Sequence, residues 1–385
     1  MNKIVIAPDS FKGSLSAAEV ARSIATGLRR VWPDVECVAV PMADGGEGTL
    51  DACLSAGGER MRVEVEGAGG APLIAEFGIV EPEGNEGRKV AILEVAQVVG
   101  ITEPAGMAER IGARTTHGVG TLIGHVLDLG VRDLLIGLGG SSTNDGGAGV
   151  LTGLGARFHD DEGGAIRPSP EELSRVRRID LTDFDPRIKE CRITLMSDVN
   201  NPLAGPRGAT AIFGPQKGVT PQLHDAFDAA IANFARVVEA AFGVTAADKP
   251  GAGAAGGLGF TLQLIGGEFR SGAEVVADLL QLDAAMQGAD WAITGEGRTD
   301  LQTLLGKTPH LVARRAAKCG VPISLLSGGI DRAALPELGK TFAGCFSLVF
   351  GPMTLQQAIA DSAGLLADSA EQLARLRAAI ERQSG

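Results

Sequence analysis

KIVIAPDSFKGSLSAAEVARSIATGLRRVWPDVECVAV, residues 3–40, decides the fold. KIVIA (3–7) is a short β-branched run of the kind that fills a buried strand. In SAAEVARSIATGLRRV (16–31), Val20, Ile24, Leu28 and Val31 recur at helical spacing. Ser16 with Glu19 three residues on forms a capping box at the start of that helix. VECVAV (35–40) is a second strand, and GEGTLDACLSAG (46–57) starts a second helix. Strand, helix, strand, helix is the pattern of a parallel sheet covered on both faces.

Working outward, the middle of the chain changes character. MRVEVEG (61–67), LIAEFGIV (73–80) and KVAILEV (89–95) read as three successive strands, the first alternating like a half-exposed antiparallel strand. A helix over 118–129, the strand DLLIGL (133–138), the strand RITLMS (192–197) and a helix over 221–242 follow. DWAIT (290–294), PISLLS (322–327) and CFSLVF (345–350) return to buried-strand runs. The expected architecture is therefore α/β in two domains. Residues 1–60 and 270–385 share one discontinuous parallel-sheet domain, 61–269 form an inserted mixed α/β domain, and the active site lies in the cleft between them.

Composition narrows the function. A net charge of −12 lacks the basic stripe that a nucleic-acid partner needs. No tyrosine is present, which disfavours an aromatic platform for bases. Five scattered cysteines show no metal-ligand spacing and read as reduced thiols of a cytoplasmic protein. No apolar run has the length of a signal peptide or a membrane span. The five histidines form no short-spaced pair, and no G-x-S-x-G elbow exists, so neither a zinc site nor a Ser-His-Asp triad is legible.

Almost every glycine-and-polar cluster sits just after an expected strand. PDSFKGS follows KIVIA, ADGGEGT follows VECVAV, and GGSSTNDGG follows DLLIGL. SDVNNP follows RITLM, TGEGRTD follows DWAI, and SGGID follows PISLL. Ligands of open α/β sheets bind at the carboxyl ends of strands, and loop N–H groups there suit phosphate. Familiar phosphate loops do not fit. The Rossmann fingerprint fails at Ser142, and the Walker A pattern fails because Leu301 stands where its first glycine belongs. GLGGSS is similar to the GLGSS loop of galactokinase-type enzymes, but Asp133 replaces their upstream proline.

Candidate ligands lie in these loops, each with a plainer alternative. Asn144 can cap a helix beginning near Gly146, with Asp145 in its first turn; Asp145 could also face a metal or a substrate hydroxyl. Asp198 and Asn200, two apart, are hard-oxygen donors for Mg²⁺ or an Asx-turn before Pro202. Asp44 and Glu47 are ligands or helix-start acids. Glu296, Arg298 and Asp300 cluster after a strand, and Arg298 could clamp a carboxylate. Lys307 precedes a helix opened by Pro309.

Seven motifs in order then carry a resemblance: DSFKGS, ADGGEGT, GLGGSSTNDGG, SDVNNPLAGPRGA, FGPQKG, GAGAAGGLG and GEGRTDLQTLLGKTP. Over nearly its whole length the sequence resembles the bacterial (type-1) glycerate kinase family. Ser142 and Thr299 depart from residues common in that family's motifs. The resemblance implies a Rossmann-like three-layer α/β/α domain with a distinct second domain. It also implies cytosolic, ATP- and Mg²⁺-dependent phosphorylation of D-glycerate, mainly to 2-phosphoglycerate. For in-line transfer, the triphosphate is expected on Gly139, Gly140, Ser141 and Ser142 with Lys217 or Lys307, and with Asn144 and Glu296 nearby. Mg²⁺ is expected on Asp198, helped by Asn200 or Asp44. Ser10, Lys12, Asp44 and Arg298 are expected to face glycerate, its carboxylate meeting Lys12 or Arg298. The base is Asp145 or Asp198. Three rivals stay open: another kinase of hydroxy acids or sugars, a dehydrogenase on the same sheet, and a non-catalytic metabolite-binding regulator. The oligomeric state is left open too.

Overall fold

The computed structural model describes residues 1–82 and 87–384. In chain order its strands are β1 (Lys3–Ile6), β2 (Glu36–Ala39), β3 (Glu59–Glu66), β4 (Pro72–Val80), β5 (Val90–Glu94), β6 (Asp133–Gly137) and β7 (Arg157–His159). Then come β8 (Ala165–Ile166), β9 (Arg178–Asp180), β10 (Arg192–Met196), β11 (Gly267–Arg270), β12 (Trp291–Thr299), β13 (Ile323–Ile330) and β14 (Gly344–Ser347). The chain forms two compact units: Met1–Asp44, Asp51–Gly57 and Ala273–Gly385 make the first, Gly45–Leu50 and Gly58–Gly272 the second.

The first unit holds an all-parallel sheet in the order β14-β13-β12-β1-β2. β1 lies inside the sheet between β12 and β2, with Ile4, Val5 and Ile6 fully buried, as its unbroken apolar run requires. The helix Ala17–Arg29 starts at the Ser16–Glu19 capping box and buries Val20, Ala21, Ile24 and Leu28. It packs against the C-terminal helix Ser362–Ser384. Gly27 allows that approach, since a Cβ there would lie 2.0 Å from the Ala367 carbonyl oxygen.

Two expectations are corrected here. TGEGRTD and SGGID are mostly strand, not loop, because β12 runs on to Thr299 and β13 to Ile330. Gly295 serves close strand contact, not a turn: its Cβ would sit 2.1 Å from the Leu326 carbonyl oxygen. CFSLVF yields only the half-exposed edge strand β14, and Val349 and Phe350 beyond it are exposed.

The second unit centres on a six-stranded mixed sheet, β11-β10-β6-β5-β4-β3. The β3–β4–β5 meander is antiparallel, and β5, β6, β10 and β11 are parallel. The short helix Ala96–Val99 follows β5. A smaller antiparallel sheet, β8-β7-β9, lies in the same unit. Phe158, Phe234 and Phe260 meet edge to face in the core, with centroids 5.6 and 6.1 Å apart. The 22-residue helix Pro221–Phe242 supplies Phe234. Among the described residues no helix is long and apolar enough to cross a membrane.

Candidate active site

In the first unit, the exits of β1, β2, β12 and β13 surround a cavity of about 910 Å³. Asp9, Ser10, Lys12, Asp44, Glu296, Arg298 and Lys307 all line it. The β1 exit is held in register by Asp9 N–H donating to the Gly295 carbonyl at 2.8 Å. Beyond it, Phe11 and Leu15 pair around a tight turn in which Gly13 takes φ +75°, and Lys12 stands exposed at its tip. On β12, Glu296 and Arg298 are two apart and share one side of the strand.

Burial sets the acid–base character of this cavity. The Asp9 carboxyl is pushed up to about 6 by burial and by the neighbouring Asp44 charge, while the Ser10 N–H and Lys12 pull the other way. Asp9 was missed in the sequence, although its place directly at a strand exit was a usable signal. Glu296 is raised by burial, opposed by hydrogen bonds from Thr303 and Thr299 and by Lys307. Its Oε1 accepts from the Thr303 hydroxyl at 2.6 Å and the Thr299 hydroxyl at 3.0 Å. Lys307 stands at the N-cap of the helix Thr308–Lys318, 3.6 Å from Asp300 and 4.0 Å from Glu296. These looser pairs leave its ammonium half-exposed at a helix start, where anions are favoured.

In the second unit, Gly139, Gly140, Ser141, Ser142, Asn144, Asp145 and Lys217 come together, but mostly to hold one another. The β6 loop is buried from Ser141 through Asp145. Gly137 and Gly139 are glycines because the Gly45–Gly46 backbone crosses them: Cβ atoms there would lie 2.6 Å from the Gly45 carbonyl oxygen and from the Gly46 Cα. Ser142 donates from Oγ to the Val99 carbonyl, and Asn144 donates from Nδ2 to the Thr210 hydroxyl. Asp145, not Asn144, accepts from the next helix's start, through the Gly147 and Gly149 N–H groups.

Asp145 also takes the Thr116 N–H and hydroxyl, both at 2.8 Å, and has no solvent exposure. Burial raises its pKa while these four donors oppose the rise. Lys217 is 2% exposed and donates from Nζ to the Ser141 hydroxyl and the Thr143 carbonyl, both at 2.9 Å. Burial brings its pKa down to about 7, with Asp145 opposing and Arg114 reinforcing that fall. Arg114 fixes the same loop by donating to the Ser142 and Lys217 carbonyls. Lys217 therefore supports the loop from within. Asp198 and Asn200 are exposed just beyond β10, and no cluster of three or more His, Cys, Asp or Glu fit for a metal occurs among the described residues.

Cations set beside carboxylates at the strand exits of a parallel sheet suit an enzyme that moves phosphoryl groups between small molecules. The class defined here is a small-molecule kinase of α/β architecture. The glycerate kinase family model matches residues 4–378, and the chain belongs to that family. It is 40% identical to a glycerate kinase of Bacillus subtilis over 97% of both chains. It is 42% identical to the glycerate 2-kinase of Escherichia coli over 85% of both. A crystal structure described as that of a glycerate kinase 2 from Salmonella typhimurium LT2 superposes with a TM-score of 0.86, at 39% identity over 99% of both chains.

Proposed function

We propose that this chain transfers the γ-phosphoryl group of ATP to the 2-hydroxyl of D-glycerate, giving 2-phosphoglycerate. One observation carries the reading: Lys12, Arg298 and Lys307 share a cavity with Asp9 and Asp44 in a member of the glycerate kinase family. The Escherichia coli relative, a glycerate 2-kinase, favours the 2-hydroxyl as acceptor. Phosphoryl transfer asks mainly for positioning and charge neutralisation, which cations supply without a strong base. Lys307 and the helix start behind it would hold the phosphate chain. Arg298, through its planar fork, would hold the glycerate carboxylate, with Lys12 closing the site from its exposed turn.

Mg²⁺ needs only one or two carboxylates when phosphates and waters complete its shell. Asp44 and Asp9 fit that demand, because they share the cavity and repel each other. They would hold the ion, which supplies neutralisation of the phosphate oxygens. Asp198 and Asn200 are the alternative pair. None of the five cysteines is joined in a disulfide, which suits a reducing cytosol, and we assign the activity there.

A ³¹P NMR spectrum of the product from D-glycerate and ATP tests the proposal. The 2-phosphoglycerate resonance is expected. The 3-phosphoglycerate resonance would correct the regiochemistry, and absence of both would overturn the substrate.

A further inference from the structure

The lining of the first unit's cavity combines two chemically opposite sets of side chains. Lys12, Arg298 and Lys307 are its cations. Leu348, Val349, Leu355 and Ile359 give it an aliphatic wall. Leu348 is buried at the base, whereas Val349, Leu355 and Ile359 are 40%, 76% and 40% exposed. Leu355 and Ile359 lie four residues apart on the helix Leu355–Ala360, so one face of it turns both toward the cavity. Single exposed aliphatic residues are ordinary, but several converging on a cavity mark a site. The hydroxyls of Ser14 and Ser362, 2.6 Å apart, add a polar edge to the lining.

Glycerate has no apolar body and would leave this wall uncovered. A cavity of about 910 Å³ lies near the top of the roughly 300–1,000 Å³ range of small-molecule sites. A nucleoside triphosphate matches both sets of side chains, with a flat heterocycle for the aliphatic wall and phosphates for the cations. We infer that the wall formed by Leu348, Val349, Leu355 and Ile359 binds the base of the nucleotide, with the phosphate chain running toward Lys307. This rests on the kinase reading above. It moves nucleotide recognition from the Gly139–Ser142 loop, whose serine and lysine side chains are spent internally, to the cavity of the first unit.

The test is isothermal titration of the full chain with ATP and, separately, with tripolyphosphate, which carries the charges without the base. Leu355→Glu and Ile359→Glu should each weaken ATP binding by at least about tenfold, since a carboxylate would face the base in an apolar slot. For the uncharged Leu355→Asn, tripolyphosphate affinity should stay within about twofold while ATP affinity falls, since that substitution neither removes a cation nor adds an anion. Both side chains are exposed, so the fold tolerates the change; Leu355→Asn is the milder companion variant, and thermal melting verifies each. Unchanged ATP affinity would overturn the inference, as would an equal loss of tripolyphosphate binding. So would a change in sedimentation mass with ATP affinity intact, which would make the wall a contact between copies. If ATP binding weakens as expected while D-glycerate is not phosphorylated, the substrate assignment falls and this inference stands.

Discussion

Lys217 donates from Nζ to the Ser141 hydroxyl at 2.9 Å, across 76 residues of sequence, in surroundings closed to water. Its ordinary pKa of 10.5 falls to about 7 on folding. Between those values the unfolded chain binds a proton that the folded chain does not. Stability therefore climbs with pH across that window, and below it the cost is constant. Relative to Lys217→Met, the wild-type protein should gain on the order of 1 kcal/mol per pH unit between pH 7 and 9. Denaturant midpoints at several pH values measure it; parallel slopes for the two proteins would show that Lys217 stays charged in the fold.

Lys307 and Arg298 separate in steady-state kinetics under the proposed roles. Lys307→Met should raise KM for ATP by about tenfold and lower kcat as well, because a phosphate contact strengthens as charge develops. Arg298→Ala should act chiefly on KM for D-glycerate, again by about tenfold or more. If both variants shift only the ATP parameters, the carboxylate must be held elsewhere.

Asp44 is the residue to probe for Mg²⁺. Asp44→Asn should raise the Mg²⁺ concentration needed for half-maximal activity by about 10- to 100-fold. Asp198→Asn is the comparison variant, and a larger shift there would transfer the ion to the pair beyond β10.

Gly295→Ala tests the long parallel pair of β12 and β13. The new Cβ would meet the Leu326 carbonyl oxygen at 2.1 Å, and backbone cannot step aside as a flexible side chain could. A loss of about 3 kcal/mol is expected in urea unfolding, at the upper end of overpacking costs. A loss below about 0.5 kcal/mol would mean that the strands separate freely there.

What the sequence disclosed follows the reach of each signal. The Ser16–Glu19 box, the helix Pro221–Phe242 and the strands from β1 to β6 were legible, because helical and strand periods are local. The polar loops that follow β1, β2, β6 and β10 were legible for the same reason. Glycine misled where it stood for close approach instead of a turn, as at Gly295 and Gly139. The internal role of Lys217 and Asp145 was hidden, since it depends on Arg114, Thr116 and Ser142, distant in sequence. Asp9 was overlooked because one aspartate among many carries no periodic mark. The aliphatic wall was partly misread as strand, its composition suiting either a sheet edge or a cavity.

The seating of β1 between β2 and β12 has a consequence for synthesis. The ribosome makes β1 and β2 first, yet the neighbour that completes their sheet begins at Trp291, and the helix that covers Ala17–Arg29 begins at Ser362. The second unit, closed by Gly272, has all its residues before either of these is made. At roughly 5–20 residues per second, the nascent amino-terminal strands wait many seconds with their edges open. The chain therefore finishes its middle before its beginning, and the residues translated first keep an unpaired strand edge the longest.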